Sequence, residues 1–79
     1  MNNWDCSGDE KICAADPASK MLQASGLTDC TMYCWMNSPQ CLQFNYHLFS
    51  SPNCGLYYDY RPKNYNVSTD CQHYTVRYA

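Results

Sequence analysis

Leu42-Gln43-Phe44-Asn45-Tyr46-His47-Leu48-Phe49 alternates apolar and polar side chains, with Leu42, Phe44, Tyr46 and Leu48 on one side and Gln43, Asn45 and His47 on the other. That period of two marks a half-buried strand. Ser50-Ser51-Pro52-Asn53 supplies turn residues, and Cys54, Leu56, Tyr58 and Tyr60 then hold alternate positions of a second strand. The stretch therefore predicts an antiparallel hairpin over residues 42–60. Tyr58 and Tyr60 share the core-facing parity of Leu56, which turns Tyr57 toward solvent and leaves His47 on a solvated face.

Working outward toward the N-terminus, Thr28 is a good N-cap for a helix over about residues 28–37. Leu27 and Met32 are placed for a hydrophobic staple across its first turn, and Ser38-Pro39 ends it. Cys30 and Cys34 lie four apart, on one helix face, so they cannot bond each other and must reach a neighbouring element. Asp16-Pro17 through Gly26 carries an N-cap residue, proline at the first helical position and a terminal glycine, which reads as a short helix. Residues 1–15 have little periodicity: either an irregular arm, most clearly over residues 1–10, or a first strand ending near Ile12 and Cys13. On the C-terminal side Arg61 to Asp70 is polar and reads as a surface loop. Beyond Cys71, Tyr74, Val76 and Tyr78 alternate with His73, Thr75 and Arg77 in a closing strand over residues 72–78, with His73 on its solvated face. One helix against an antiparallel sheet is an α+β arrangement.

The chain has 79 residues, seven of them cysteine, and a formal net charge of -2. A single domain over residues 1–79 is expected, too small to be secured by its core alone. Disulfides supply what is missing, and their density points to a secreted, extracellular protein. A zinc site at Cys30, Cys34, Cys41 and Cys54 is the reducing alternative. It is disfavoured because the first gap is the helical i, i+4 spacing rather than that of a zinc knuckle. No metal or cofactor is expected, and no apolar run is long enough to insert in a membrane. Dispersed Arg61, Lys63 and Arg77 neutralise too few phosphates for nucleic-acid binding. Met1-Asn2-Asn3-Trp4-Asp5-Cys6 lacks the features of a signal peptide, which fits a mature form. Asn66-Val67-Ser68 is a candidate glycosylation sequon.

The order of these elements resembles the PAN/apple module. In that family a helix bearing C-x3-C precedes a strand opening C-x-x-F, which leads to a second strand opening with cysteine. Here those are Cys30-Thr31-Met32-Tyr33-Cys34, Cys41-Leu42-Gln43-Phe44 and Cys54-Gly55-Leu56, and Tyr74-Thr75-Val76-Arg77-Tyr78 resembles the family's closing strand. The likeness covers residues 27–78. It is weak over residues 1–26, where the family has early strands and Asp16 to Gly26 of this chain reads as helical. The resemblance implies bridges Cys30–Cys54 and Cys34–Cys41, which pin the helix to the hairpin, and a further bridge joining the ends of the domain. Cys71 has two candidate partners for it, Cys6 and Cys13. Cys13 is preferred as nearer a strand, which leaves Cys6 unpaired or bonded between two chains in a homodimer.

Catalysis would require an activated nucleophile or a paired acid and base, and neither spacing is present, so the chain reads as non-enzymatic. Eight tyrosines are present, and several crowd the end of the hairpin. Tyrosine offers large apolar area at low entropy cost with a polar tip, which suits recognition. Tyr57, Asp59, Arg61, Lys63 and Tyr65 are the candidate contacts. The resemblance implies adhesion or binding of a protein or carbohydrate. Lack of a basic cluster favours an extracellular protein or a neutral glycan over a polyanion. The competing reading is a diffusible, cysteine-rich signal such as a pheromone or toxin-like effector acting on a receptor. It rests on composition and on a helical 16–26 segment.

Overall fold

The computed structural model describes residues 4–9 and 11–78, with side chains described over residues 11–77. Its elements are β1 (Trp4–Asp9), β2 (Ile12–Ala14), β3 (Lys20–Leu22), α1 (Leu27–Met36), β4 (Cys41–His47), β5 (Cys54–Tyr58), β6 (Tyr65–Val67) and β7 (Cys71–Tyr78). The alternating stretch is β4, the centre of an antiparallel sheet ordered β1-β7-β4-β5-β3, while β2 and β6 pair as a separate two-stranded sheet. The α+β class and the stapled helix on an antiparallel sheet are as expected. The one described helix ends where Ser38-Pro39 requires. It begins with Gly26, not Thr28, as the N-cap.

One face of the sheet packs on α1. Phe44, Leu56 and Val76 are fully buried there with Cys30, Cys34, Cys41 and Cys54, and Tyr46, Tyr58 and Tyr74 pack around them. Cys30 bonds Cys54 and Cys34 bonds Cys41. A register shift between Cys41 and Gln43 changes the strand's parity. The shift lets Cys41 share the helix-facing side with Phe44, although the two are an odd number of residues apart. Phe44 and Tyr74, directly opposite each other on β4 and β7, stack with ring centroids 5.1 Å apart.

The other face carries Gln43 opposite Thr75, Asn45 opposite His73 and His47 opposite Cys71. Sequence alternation assigns this side to solvent, and the structure overturns that. The β2–β6 sheet lies over it, and Gln43, Asn45 and His73 are each at most 6% exposed. His47 is half-buried. A third bridge, Cys13–Cys71, fastens β2 to β7 and closes the longest of the three loops. The loop-entropy relation gives that bridge about 4 kcal/mol. Strand register also excludes the alternative Cys6–Cys71 pairing. Cys6 lies opposite Val76, five positions along β7 from Cys71. At roughly 3.3 Å per residue that is about 17 Å, whereas a disulfide needs Cα atoms within about 7 Å. The side chain of Cys6 lies outside the described residues.

Three segments differ from the sequence reading. Within the expected 61–70 loop, Tyr65–Val67 forms strand β6, because β2 offers its backbone an antiparallel partner. Residues 16–26 form no helix. Lys20–Leu22 is an edge strand on β5, supported by Ser19 N–H donating to Leu56 O at 2.8 Å. An isolated two-turn helix is marginal, and a ready sheet edge offers the same backbone groups fixed partners. Trp4–Asp9, a candidate irregular arm, is a strand paired along β7. Gly8 sits opposite Tyr74 so closely that any Cβ at that position would enter the ring.

Paired asparagines join these layers. Asn45 Oδ1 accepts from Ala14 N–H at 3.1 Å, and Asn45 Nδ2 donates to Ala14 O at 3.1 Å. Asn53 holds Ala24 in the same way, at 2.7 and 2.9 Å. Each side-chain amide acts as a one-residue strand partner, satisfying both backbone groups of an alanine that packs in the interior.

Candidate recognition loop and its polar support

β5 ends at Tyr58 because Asp59 adopts φ 62°, a left-handed conformation that aspartate tolerates better than most residues. Strand parity stops there. Tyr60 therefore emerges at 41% exposure instead of entering the core, and its hydroxyl donates to Pro17 O at 2.5 Å. Asp16 then fixes the following turn. One of its carboxylate oxygens accepts from Lys63 N–H at 2.9 Å, the other from Asn64 Nδ2 at 3.0 Å. These bonds, that from Lys63 foremost, hold the Asp16 carboxyl below the usual carboxylate range. Ala15 N–H donates to Asn64 O at 2.7 Å, and Tyr65 Oη donates to Pro62 O at 2.9 Å. Pro62 is buried beneath the turn.

The result is an exposed ridge tied to the 15–17 segment by hydrogen bonds. Asp59, Arg61, Lys63 and Tyr65 are all on the surface as the sequence predicts, and the structure brings them together with Tyr60. Tyr57 is the correction: it is 1% exposed and cannot be a surface contact. The parity of β5 does turn it away from Leu56, but that side is the covered one, not solvent. Tyr57 donates its hydroxyl proton to Asp16 O at 2.6 Å and accepts from Asn45 Nδ2 at 3.1 Å. Burial, reinforced by nearby Tyr60 and Asp16, pushes its pKa up to about 12. It is a neutral post beneath the ridge.

His73 completes the support. Its Nδ1 lies 2.6 Å from Asn45 Oδ1, an acceptor already oriented by Ala14, so Nδ1 carries the hydrogen. Nε2 is then a bare acceptor, buried and without a hydrogen-bond partner among the described residues. Burial lowers the His73 pKa to about 4. The Tyr65 ring meets the imidazole edge-on at 5.1 Å, and Tyr57 does so at 6.2 Å. Tyr57 in turn meets Tyr60 at 5.8 Å. Rings thus run continuously from the interior to the surface. The hydroxyls of Tyr60 and Tyr65 are directed inward, which leaves ring surface, a guanidinium, an ammonium and a carboxylate for contact. That set can stack on and hydrogen-bond to a ligand.

Sequence reasoning misses Tyr60, Asp16, Asn45 and His73. Asp59-Tyr60-Arg61-Pro62 has the composition of a turn, a signal that the strand could end before Tyr60. Asp16 bears N-cap character locally, and nothing local reveals a partner 47 residues away. Asn66 is exposed on β6, where its sequon is accessible. Among the described residues no helix is long and apolar enough to cross a membrane. Comparison of the chain with protein-family models, with curated proteins and with solved structures gives no match.

Proposed function

We propose that this protein is a secreted, non-enzymatic binding module of PAN/apple type that recognises an extracellular protein or a neutral glycan through Tyr60, Arg61, Lys63 and Tyr65, with Asp59 at the margin. One observation carries the reading: an exposed aromatic and cationic ridge already tied down by hydrogen bonds, from Lys63 and Asn64 to the Asp16 carboxylate and from the Tyr65 hydroxyl to Pro62 O, with Asp16 itself held by Tyr57. Binding to a loop ordered in advance avoids the entropy cost of ordering it on contact. Tyrosines paired with a few polar groups give contact area together with orientation. Three bridges in a domain this small suit an oxidising compartment. The helix pinned to the hairpin by Cys30–Cys54 and Cys34–Cys41 supports the PAN/apple assignment. The competing reading, a diffusible signal, drew on a helix over residues 16–26, and that segment holds strand β3.

A glycan array run with the parent and with an Arg61→Ala/Lys63→Ala/Tyr65→Ala variant tests the proposal. Binding to neutral sugars that the variant loses, at unchanged Tm, supports a lectin. If no sugar binds, labelled protein is applied to cells stripped by protease or by glycosidase. Binding that only protease abolishes, and that the variant lacks, supports a protein partner. Binding by the variant equal to the parent, or no binding in either format, overturns the reading.

A further inference from the structure

Cys13, His47 and Cys71 converge from three strands outside the ridge. Their Sγ atoms and a ring nitrogen of His47 all lie within 4.8 Å of one another. His47 and Cys71 are directly opposite on β4 and β7, so sheet register alone holds them together. Cys13 is held independently of its disulfide. It pairs with Asn66 in the β2–β6 ladder, and the next residue, Ala14, is clamped by Asn45 at both N–H and C=O. The bridge can therefore open without releasing any of the three side chains. Two sulfurs and one imidazole are a donor set that suits zinc.

We propose that Cys13, His47 and Cys71 form a redox-gated zinc site: closed as a disulfide it takes no metal, and opened it binds one Zn²⁺ through two thiolates and an imidazole, with the fourth position left for water or an external ligand. Opening needs a dithiol of the thioredoxin class. Its thiolate attacks the Sγ of half-buried Cys13, the S–S bond breaks, and Cys71 Sγ leaves with the electron pair. The reductant's second thiol then closes its own disulfide and frees Cys13, so two electrons and two protons pass to the protein. Zinc displaces both thiol protons. With Zn–S about 2.3 Å and Zn–N about 2.0 Å, tetrahedral geometry sets donor separations near 3.5–4 Å, which the present arrangement reaches by parting the sulfurs and drawing the imidazole in. Selectivity follows from burial: Cys30, Cys34, Cys41 and Cys54 are all 0% exposed and Cys71 is 3% exposed, whereas Cys13, at the middle of β2, is half-buried and is the one bridged sulfur position among the described residues open to attack.

The test uses a Cys6→Ser background, which removes the seventh cysteine, and limiting phosphine reductant, which is oxidised to the phosphine oxide and competes little for metal. Alkylation and peptide mass spectrometry should show new thiols at Cys13 and Cys71 alone, with near-UV circular dichroism retained. Co²⁺ should then give thiolate charge-transfer and tetrahedral d–d bands that Zn²⁺ abolishes at one equivalent, and nothing of the kind before reduction. His47→Ala, with His47→Gln as a second variant, should weaken zinc binding about 100-fold, at or above the upper range for loss of a supporting group. Cys13→Ser/Cys71→Ser should stay folded and bind no zinc. Opening of all three bridges together, collapse of that serine variant, absence of metal uptake after selective reduction, or undiminished affinity in both His47 variants would each overturn the proposal.

Discussion

His73 makes stability depend on pH in a window that can be named. In the folded protein its pKa is about 4, against the ordinary 6.5 that the unfolded chain regains. Between those values the unfolded state holds a proton at His73 and the folded state does not. Stability therefore falls as pH drops through this window, with a slope of about 1.4 kcal/mol per pH unit and a full span of up to about 3 kcal/mol. Above 6.5 this contribution is complete and flat. Below about 4 the folded state is protonated too, and the loss stops growing. Burial lowers His47 as well, which adds a loss of the same sign. Asp16 acts in a separate and more acidic window: its depressed carboxyl stabilises above 3.8, and that stability is lost as pH falls further.

The underlying cause is Nε2, which would carry the added proton in a place with no acceptor among the described residues. Urea unfolding followed by tryptophan fluorescence at pH about 7, 6, 5 and 4.5 should show the parent losing about 2–3 kcal/mol over the series. His73→Gln keeps an amide donor within reach of Asn45 but cannot titrate, so most of that slope should vanish. Equal slopes in parent and variant would refute the reasoning. NMR titration of the His73 ring protons gives an independent check without any substitution: an inflection near 6.5 instead of near 4 would refute it as well.

Asn45→Ala removes the partner of Ala14 N–H, Ala14 O, His73 Nδ1 and the Tyr57 hydroxyl together. It should cost about 3–4 kcal/mol by chemical denaturation, since several buried groups are left unpaired, and a loss below about 1 kcal/mol would show the clamp to be dispensable. Gly8→Ala drives a methyl into the Tyr74 ring, which is braced by Phe44 and by its bond to Gln72. We expect a loss of about 1–3 kcal/mol in Tm-derived stability, and Tyr74→Ala in the same chain should relieve the clash while adding its own cavity. Cys30→Ala/Cys54→Ala opens the bridge spanning 24 residues. It should lower stability by about 3 kcal/mol or more, most of it through the unfolded state, and an unchanged denaturation midpoint would contradict that.

What is legible in the sequence is whatever local patterning controls. β4 is visible because Leu42, Phe44 and Tyr46 recur at the strand period, and α1 because Cys30 and Cys34 fall on one face and Ser38-Pro39 cannot continue a helix. The exposure of Asp59, Arg61 and Lys63 is legible for a similar reason, since polar residues around Pro62 mark a turn, whereas Tyr65 is exposed although it opens strand β6. What fails is the placement of polar and tyrosine side chains whose partners are distant in sequence. Alternation shows that Asn45 and His73 differ from Phe44 and Val76 in direction, not that a second sheet waits on their side. Tyr57 is misread by the same inference. Asp16-Pro17 has the chemistry of a helix start, and only the spatial nearness of Lys63 and Asn64 converts Asp16 into the anchor of the ridge.

The polar second layer also explains why the ridge can be held by so little structure. β6 is exposed at all three positions, and β2 contributes one buried residue, Ala14. Apolar burial of that size cannot choose one register over another, because hydrophobic contact is non-directional and roughly proportional to area. Hydrogen bonds are directional. Asn45 accepts and donates at one alanine only, and a slip of one residue in β2 would leave both bonds unmade in a site closed to water. The helix face of the sheet thus supplies most of the stabilising burial, together with two disulfides. The opposite face buries Tyr57 and the polar side chains of Gln43, Asn45 and His73, and it sets position through Asn45, Tyr57 and Asp16. Substitutions on the two faces should consequently separate in effect. Truncating Phe44 or Leu56 lowers stability and leaves the geometry of the ridge intact in the molecules that remain folded. Changing Asp16 or Asn45 displaces Tyr60 and Tyr65 even where the domain stays folded, so their loss falls first on recognition.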